Sequence, residues 1–379
     1  MEENIIKYRN AIGSGKQAIT QGQKRKGGRG MREGWEYKKL GDSCVIEYGT
    51  RVVQKKDGGT IYPVYGGGGE TFRMDKYNRE NCLVVARFAM SRTCVRYVTG
   101  KFFLNDSGLS INAGKELLQS YLNHHILHLN DDIYNLGKGA AQRNLDVNSF
   151  RNLIITIPPL STQQSIVSEL DKINELIRLK KEQLKDYDNL AQSIFYEMFG
   201  DPVVNEKGWE VDYLSHLCNV FAGGDKPSDL SEMQSKEFPY PVIANGDGDK
   251  GILGYSKMCK IKEDAVTIGA RGASIGNCRL VRNGFTPAIR LITLVPQMKL
   301  DCNYLYYYVR NMNYRVNGVA QAQLTVPNVQ RELIPIPPLP LQQLFAQRIE
   351  LIEKQKAEIQ RTISDLETLL ASRMQYWFD

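Results

Sequence analysis

The chain contains one sequence pattern twice, and this internal repeat constrains the fold more than any other feature. Residues 153–170 read LIITIPPLSTQQSIVSEL, and residues 333–349 read LIPIPPLPLQQLFAQRI. Residues 34–49 (GWEYKKLGDSCVIEYG) and 208–223 (GWEVDYLSHLCNVFAG) share Trp, Glu, Leu, Cys and Gly at one constant offset. A repeat of this length predicts two copies of one structural unit in tandem.

Three further pairs of segments correspond, and each pair is rich in residues that form loops. The pairs are YPVYGGGGE (62–70) with YPVIANGDGD (240–249), VVARFAMSRTC (84–94) with TIGARGASIGNC (267–278), and GAAQRNLDVNSF (139–150) with GVAQAQLTVPNV (318–329). The offset drifts from pair to pair, as expected when loops differ in length and the framework does not. We therefore expect these loops at equivalent places in the two domains.

Each copy combines short β-type runs with a helical stretch before its Pro-Pro pair. Apolar and β-branched runs separated by Gly, Asn and Pro predict strands at residues 44–48, 83–87, 94–98, 265–268 and 290–295. Helical stretches are expected at residues 115–130 and 302–313. This pattern predicts a mixed α+β fold for each domain.

A heptad pattern of apolar residues follows each Pro-Pro pair, which permits a helix after it but not before it. The steps of four and three predict a helix interface formed by Ile166, Leu170, Ile173, Ile177, Leu184, Ile194, Phe345, Ile349, Ile352, Ile359, Ile363, Leu366 and Leu370. Each helix should run about 35 residues, or about 50 Å, and a seam of this length is typical of a coiled coil. Two amphipathic helices, each packed on its own domain, remain an alternative. Pairing the two seams is the simpler way to bury both.

The overall charge does not by itself indicate nucleic-acid binding. The net charge is +7, but residues 1–31 contain seven Lys/Arg and two Asp/Glu, so the other 348 residues carry only +2. A DNA-binding function must therefore rest on local groups of side chains.

Cysteine and histidine usage predicts neither disulfides nor a metal site. The seven cysteines have no CxxC spacing and the four histidines form no paired ligand motif, so we expect reduced, mostly buried thiols. Cys44 and Cys218 recur at the same place in the two copies, which predicts core positions. The sequence contains neither a signal pattern nor an apolar run long enough to span a bilayer, so we expect a cytoplasmic protein.

The sequence lacks a recognisable catalytic motif. GSGKQ at residues 13–17 lacks the first Gly and the final Ser/Thr of a phosphate-binding loop, and GDGDKG at 246–251 places two aspartates where a pyrophosphate would lie. Nucleophile elbows, paired carboxylates and the Asn/Asp-Pro-Pro-aromatic motif of amino-methyltransferases are missing as well. We expect the chain alone to have no enzymatic activity.

Candidate DNA-binding side chains lie in and beside the paired loops. Arg, Gln and Asn are the residue types that make bidentate contacts to base edges in the major groove. Any one of them could equally be a solvated or capping side chain, but their duplication favours a binding surface. The candidates are Tyr65, Arg87, Arg92, Lys138, Gln142, Arg143, Asn245, Lys250, Arg271, Gln321 and Gln323.

The set of motifs closely resembles the specificity subunit of type I restriction–modification systems. The resemblance covers residues 32–379 and rests on the tandem order, the GxAQxxL loops at 139–145 and 318–324, the Pro-Pro-Leu entries, and heptad helices that end in Met198-Phe199 and Trp377-Phe378. Residues 1–31, a basic N-terminal extension, depart from this pattern.

The resemblance implies a different role for each of four segments of the chain. Residues 32–155 and 200–332 would be target recognition domains, each reading one half of a split DNA target. Residues 156–199 and 333–379 would be spacer helices that pair as an antiparallel coiled coil with pseudo-twofold symmetry.

The expected partners are double-stranded DNA, methyltransferase subunits and endonuclease/translocase subunits. S-adenosylmethionine, ATP and Mg are expected on those partner subunits and not on this chain. An alternative from another class is a coiled-coil adaptor whose globular domains bind protein or carbohydrate ligands.

Overall fold

The computed structural model describes residues 32–140, 142–246, 251–297, 299–312 and 323–379. They form two compact units. Unit 1 comprises the described residues up to Lys181 together with Gln360–Asp379, and unit 2 comprises Glu182–Ile359. The two 40-residue helices Leu160–Phe199 (the first long helix) and Leu339–Phe378 (the second long helix) each contribute to both units. The compact units therefore divide the chain within the long helices, and not at the ends of the globular domains.

The strands of unit 1 are β1 (Glu36–Lys39), β2 (Cys44–Tyr48), β3 (Tyr62–Tyr65), β4 (Glu70–Met74), β5 (Arg79–Ala86), β6 (Val95–Leu104), β7 (Gly108–Ala113), β8 (Gly137–Lys138), β9 (Asn144–Leu145) and β10 (Ile154–Ile157). Its helices, besides the long ones, are Leu40–Ser43, Gln54–Asp57, Gln119–His128, Asn130–Asn135 and Val147–Arg151.

A six-stranded sheet with the order β2-β7-β5-β6-β3-β4 dominates unit 1. Its pairs are antiparallel except β3 with β6, which are parallel. Strand β5 ends in five consecutive buried residues, CLVVA, as expected for a central strand covered on both faces. A separate antiparallel pair, β1 with β10, leads into the first long helix.

The strands of unit 2 are β11 (Val211–Tyr213), β12 (Cys218–Ala222), β13 (Tyr240–Ile243), β14 (Ile252–Ser256), β15 (Ala265–Gly269), β16 (Cys278–Val281), β17 (Thr286–Pro287), β18 (Leu291–Pro296) and β19 (Leu333–Pro335). Its helices, besides the long ones, are Leu214–Leu217, Cys302–Arg310 and Val326–Gln330, with a 3-10 turn at Gly272–Ser274.

Unit 2 keeps the strand order of unit 1 but divides it between two sheets, β12-β18-β15-β16 and β14-β13-β17. The long strand β6 of unit 1 corresponds to β16 and β17 together. Asn283 and Gly284, which have φ values of 64° and 83°, lie in the segment between β16 and β17. The predicted repeat is thus visible in the topology as well as in the sequence.

Each long helix ends on a phenylalanine that packs against a buried tyrosine. In unit 1 the ring centroids of Phe378 and Tyr121 lie 5.5 Å apart, and in unit 2 those of Phe199 and Tyr304 lie 4.7 Å apart. The Tyr121 hydroxyl donates to the Thr156 carbonyl at 3.0 Å, and the Tyr304 hydroxyl donates to the Pro335 carbonyl at 2.8 Å. Each tyrosine therefore joins the end of one long helix to the strand that precedes the other.

The two long helices also contact each other within each unit. In unit 1, Glu169 of the first helix accepts hydrogen bonds from Arg373 and from the Trp377 indole of the second, both at 3.0 Å. In unit 2, Asp188 of the first helix pairs with Lys356 of the second at 2.9 Å.

In the part of the chain that the structure describes, none of the helices is both long and apolar enough to cross a membrane.

Candidate nucleic-acid interface

Two of the paired loops meet in unit 1, directly after the central strand β5. The backbone N–H of Leu145 donates to the Arg87 carbonyl at 2.8 Å, and that of Met90 donates to the Arg143 carbonyl at 2.9 Å. The Asn144 side chain accepts from the backbone of Ala89 at 3.2 Å. The GxAQ loop thus lies alongside the arginine-bearing loop.

The glycine-rich loop of residues 66–69 packs beneath that pair. A Cβ atom on Gly67 would lie 2.5 Å from the Phe88 carbonyl oxygen, so only glycine permits this approach. Arg96, which is 4% exposed, donates to the carbonyls of Gly67 and Thr93 at 3.2 and 3.1 Å, and also to that of Gly68. One buried guanidinium therefore holds the glycine-rich loop to the loop that precedes β6.

The same three loops meet in unit 2. The Asn245 amide donates to the Arg271 carbonyl at 2.5 Å, which joins the glycine-rich loop to the arginine-bearing loop. The backbone N–H of Leu324 donates to the Ala270 carbonyl at 3.0 Å, and Arg271 forms an isolated antiparallel bridge with Gln323. The same convergence of three loops is therefore present in both units.

Cationic and aromatic side chains alternate over the loop cluster of unit 1. The Arg87 guanidinium lies 4.9 Å from the ring centroid of Tyr48 and 4.3 Å from that of Phe88. Those of Arg92 and Arg143 lie 5.2 and 4.7 Å from the Tyr134 ring. Arg87 and Arg143 also donate one N–H group each to a backbone carbonyl, that of Asp106 at 3.2 Å and that of Gly137 at 2.9 Å. Stacking and these bonds fix the orientation of the guanidinium groups, and N–H groups that are not used in this way can bind bases or phosphates.

The remaining candidates of unit 1 have more varied surroundings. Lys138 is 78% exposed and pairs with Asp146 at 2.5 Å. The hydrogen bond from Lys138, followed by those from Ser149, lowers the pKa of Asp146 to about 2. Gln142 is exposed, whereas Tyr65 packs edge-on against the buried Phe102 at 5.6 Å. Tyr65 thus lies at the edge of the core.

In unit 2, Asn245 and Arg271 lie half-buried beside each other and Gln323 is exposed. The Asn245 Oδ1 and Arg271 Nε atoms are buried, and neither has a hydrogen-bond partner among the described residues. The predicted contacts at Lys250 and Gln321 lie outside the described residues.

Several side chains of the loop cluster were not predicted from the sequence. Tyr48, Phe88 and Tyr134 were missed because aromatic residues are common in cores, and only the fold shows which rings lie beside an arginine. Arg96 was missed because nothing in its local sequence distinguishes it from a surface arginine. The one available signal was that Phe88 lies next to Arg87 in a segment already identified as part of the repeat.

The residues predicted for the helix interface are mostly buried in the structure. Leu184, Ile194 and Leu366 are half-buried, and the remaining ten are buried. Cys44 and Cys218 are buried at the start of β2 and β12, which confirms their predicted core positions. Among the described residues, no group of three or more His, Cys, Asp or Glu is arranged to hold a metal ion.

The repeated domain defines the class of the protein. A family model of the type I restriction modification DNA specificity domain matches residues 32–186 and again residues 206–368. These two matches cover most of the chain, one in each copy of the repeat. The chain belongs to this family and has the DNA-recognition role of a type I specificity subunit.

Individual relatives agree with this assignment. The chain is 26% identical over 326 residues to a putative type I specificity subunit of Mycoplasma pneumoniae, which covers 82% of this chain and 87% of the relative. It is 23% identical over 260 residues to a type I restriction enzyme specificity subunit of Methanocaldococcus jannaschii, covering 60% of each.

Solved structures show the same fold. The S subunit of a type I restriction–modification system from M. genitalium matches with a TM-score of 0.57 at 16% identity, covering 91% of this chain and 96% of that one. A chain from a solved type I restriction–modification system matches with a TM-score of 0.52 at 19% identity, covering 91% and 97%.

Proposed function

We propose that the chain reads a bipartite DNA target, one half with the loop cluster of each unit. The observation that carries this proposal is the repeated convergence of the same three loops, at the end of β5 in unit 1 and of β15 in unit 2. Two equivalent clusters with different side chains suit two half-sites of different sequence. Each cluster carries an arginine just after its central strand, Arg87 in unit 1 and Arg271 in unit 2.

We further propose that the two long helices pair as an antiparallel coiled coil that sets the distance between the half-sites. Within unit 1, Glu169 contacts Arg373, and the later residue Lys181 contacts the earlier residue Glu367 at 2.9 Å. Such an order of contacts is that of antiparallel helices. The burial of most seam residues supports the same proposal.

The chain acts in this proposal without catalysing a reaction itself. Methyltransferase and endonuclease/translocase subunits would dock on it and would carry S-adenosylmethionine, ATP and Mg. This part of the proposal follows from membership of the family and from the lack of a catalytic motif in the sequence.

The test is an exchange of one recognition domain. Residues 200–332 are replaced by the equivalent domain of another family member, and the methylated motif is read from the genome of a host that expresses the complex. The expected result is a change in one half of the motif with the other half retained. The reciprocal exchange of residues 32–155 is the matched control and should change only the opposite half. A single uninterrupted motif would contradict the proposal.

A further inference from the structure

Phe88 presents an apolar ring to solvent from a loop whose backbone is fixed. Its side chain is 38% exposed, and it lies at the end of the central strand β5. Its N–H donates to the Ser107 carbonyl at 3.4 Å, and the next residue, Ala89, has a φ of 48°. The backbone N–H groups of Ala89 and Met90 in turn donate to the Asn144 side chain and to the Arg143 carbonyl of the GxAQ loop.

The fold does not require a phenyl group at this position. In the equivalent loop of unit 2, the strand registers place Arg271 where unit 1 has Phe88, and the hydrogen bonds between the loops are still made. Leaving part of an aromatic ring in water has a free-energy cost, because apolar surface is stabilised by burial. Because the fold does not need the exposed Phe88 ring, the ring is best explained by a contact with a molecule that the chain binds.

The surroundings of Phe88 indicate the chemistry of that contact. Its ring lies 4.3 Å from the half-buried Arg87 guanidinium, in a cluster whose exposed cations are Arg92 and Lys138. In the proposed function, this cationic loop cluster of unit 1 faces DNA. In the major groove, base edges present hydrogen-bonding groups and a single kind of apolar group, the C5-methyl of thymine, which aromatic side chains can contact.

We propose that Phe88 contacts the C5-methyl group of a thymine in the half-site read by unit 1, next to the base contacted by Arg87. This inference rests on the proposed function, and it makes Phe88 a specificity-determining residue. Unit 2 has Arg271 at the equivalent position and so lacks this apolar contact. The stacked ring and guanidinium would then read two neighbouring bases as one rigid pair, the arginine by hydrogen bonds and the phenyl group by apolar contact.

The experiment removes the methyl group from the DNA and the ring from the protein. Duplexes carrying the methylated motif are prepared with each thymine of the unit 1 half-site replaced in turn by uracil, which lacks only the C5-methyl. Binding by the full chain, assembled with its methyltransferase partner, is then measured. One uracil position should weaken binding by about fourfold, the effect of one buried CH₂ group. With the Phe88→Gly variant, the thymine and uracil duplexes should bind equally.

Two controls accompany this measurement. A uracil placed in the unit 2 half-site should change the binding affinity by the same factor in the wild type and in Phe88→Gly. Tyr77→Ala removes an aromatic ring of the same domain that is 45% exposed and lies against Tyr62, and it should leave the uracil effect in place.

The outcomes separate this inference from the proposed function. If the wild-type complex binds the motif but every uracil duplex of the unit 1 half-site binds as tightly as thymine, the Phe88 contact does not exist. The same conclusion follows if Phe88→Gly keeps the uracil effect, or if the half-site contains no thymine. If the complex shows no sequence preference at all, the proposed function itself fails. The thymine–uracil comparison with the wild-type chain requires no variant to fold.

Discussion

Gln163 and Gln342 make the same three hydrogen bonds in the two halves of the molecule. Each side chain is fully buried in the first turn of a long helix. Each carbonyl oxygen accepts a backbone N–H at 2.8 Å, from Leu118 in unit 1 and from Asp301 in unit 2. Each amide group donates to two backbone carbonyls, one of which belongs to the first proline of the preceding Pro-Pro pair. This satisfied amide links each globular domain to the helix that follows it and explains why the sequence repeats Gln together with Pro-Pro-Leu.

Replacing either glutamine should destabilise its own unit. Gln163→Ala or Gln342→Ala leaves a backbone N–H and two carbonyls without the side chain that pairs with them. The expected loss is about 1–3 kcal/mol of unfolding free energy, measured by urea denaturation. The neighbouring Gln164 and Gln343 are exposed and serve as matched controls. Their Ala variants should stay within about 0.5 kcal/mol of the wild type. Equal effects at both positions of a pair would show that the buried amide has no special role.

The Glu169–Arg373 contact should make the stability of unit 1 depend on pH. The hydrogen bond from Arg373, supported by that from Trp377, lowers the pKa of Glu169 below its usual 4.5. A lowered folded-state pKa stabilises the fold above pH 4.5, and this contribution is lost as the pH falls through the lowered value. Because both side chains are about one-third exposed, Glu169→Gln should cost only about 1 kcal/mol at pH 7.

The difference between wild type and Glu169→Gln should vanish in acid, which thermal melts at a series of pH values would reveal. Glu175, whose pKa is lowered by the hydrogen bond from Arg178, offers a control on the same helix. That pair is exposed and spaced i,i+3, so solvent screens it, and Glu175→Gln should change stability less than Glu169→Gln does. A destabilisation by Glu169→Gln that persists unchanged in acid would argue against a charge effect.

Arg92 and Arg96 should separate recognition from stability. Arg92 is exposed, so Arg92→Ala should leave the melting temperature unchanged and weaken discrimination in the unit 1 half-site by about 1–3 kcal/mol. Arg96 is buried and holds three loop carbonyls, so Arg96→Ala should lower the unfolding free energy by about 2–3 kcal/mol. The measurements are a thermal melt and a binding titration for each variant. Early melting of Arg92→Ala with an unchanged motif would identify Arg92 as structural.

Cys44 and Cys218 should resist alkylation to the same degree. Burial raises the pKa of each thiol to about 12. Since the thiolate is the reactive form, this shift from 9.0 should slow alkylation by about a thousandfold relative to the chain unfolded in denaturant. Labelling with iodoacetamide followed by mass spectrometry of the peptides measures both rates in one sample. Rapid labelling of only one of the two would show that the repeat does not place them equivalently.

Lengthening both long helices by one heptad should widen the gap in the DNA target. Seven residues inserted after Lys181 and seven after Ile359 keep the apolar seam in register and add about 10 Å to each helix. Because DNA rises about 3.4 Å per base pair, the gap should grow by about three base pairs. Both half-sites should remain as they were in the methylated motif. An unchanged gap would mean that the helices do not set the spacing.

The sequence predicted the framework better than it predicted the binding surface. The long helices and the corresponding loops could be found because heptads and repeats are local patterns that survive without tertiary information. The predicted helical stretch at 115–130 contains the helix Gln119–His128, and a second helix, Asn130–Asn135, follows it. Buried Asn130, at the start of the second helix, accepts hydrogen bonds from the backbone N–H groups of Cys94 and Val95. Such a role is set by the distant strand and leaves no local signal.

The contacts of the surface side chains could not be predicted from the sequence for the same reason, since they depend on distant strands. Lys138 could be recognised as a loop cation, but its partner Asp146 was not assigned, since the pairing depends on how β8 and β9 close the GxAQ loop. Tyr65 precedes four glycines and was assigned to their loop, yet it is the last residue of β3 and its ring packs on Phe102. Side-chain direction at the end of a strand depends on register, and register is settled by the neighbouring strands.

The contact between Phe378 and Tyr121 has a consequence for how the chain folds during synthesis. Unit 1 is discontinuous, and the hydrogen bond between His128 and Asp379 joins residues that are 251 positions apart. Unit 2 is continuous from Glu182 to Ile359. The domain that leaves the ribosome first therefore cannot complete its core until residues 360–379 have followed, whereas the second domain needs only its own segment. Domains usually fold in order from the N-terminus. In this chain we expect the second domain to complete its fold first, while Tyr121 in the core of the first domain stays uncovered until Phe378 has been synthesised.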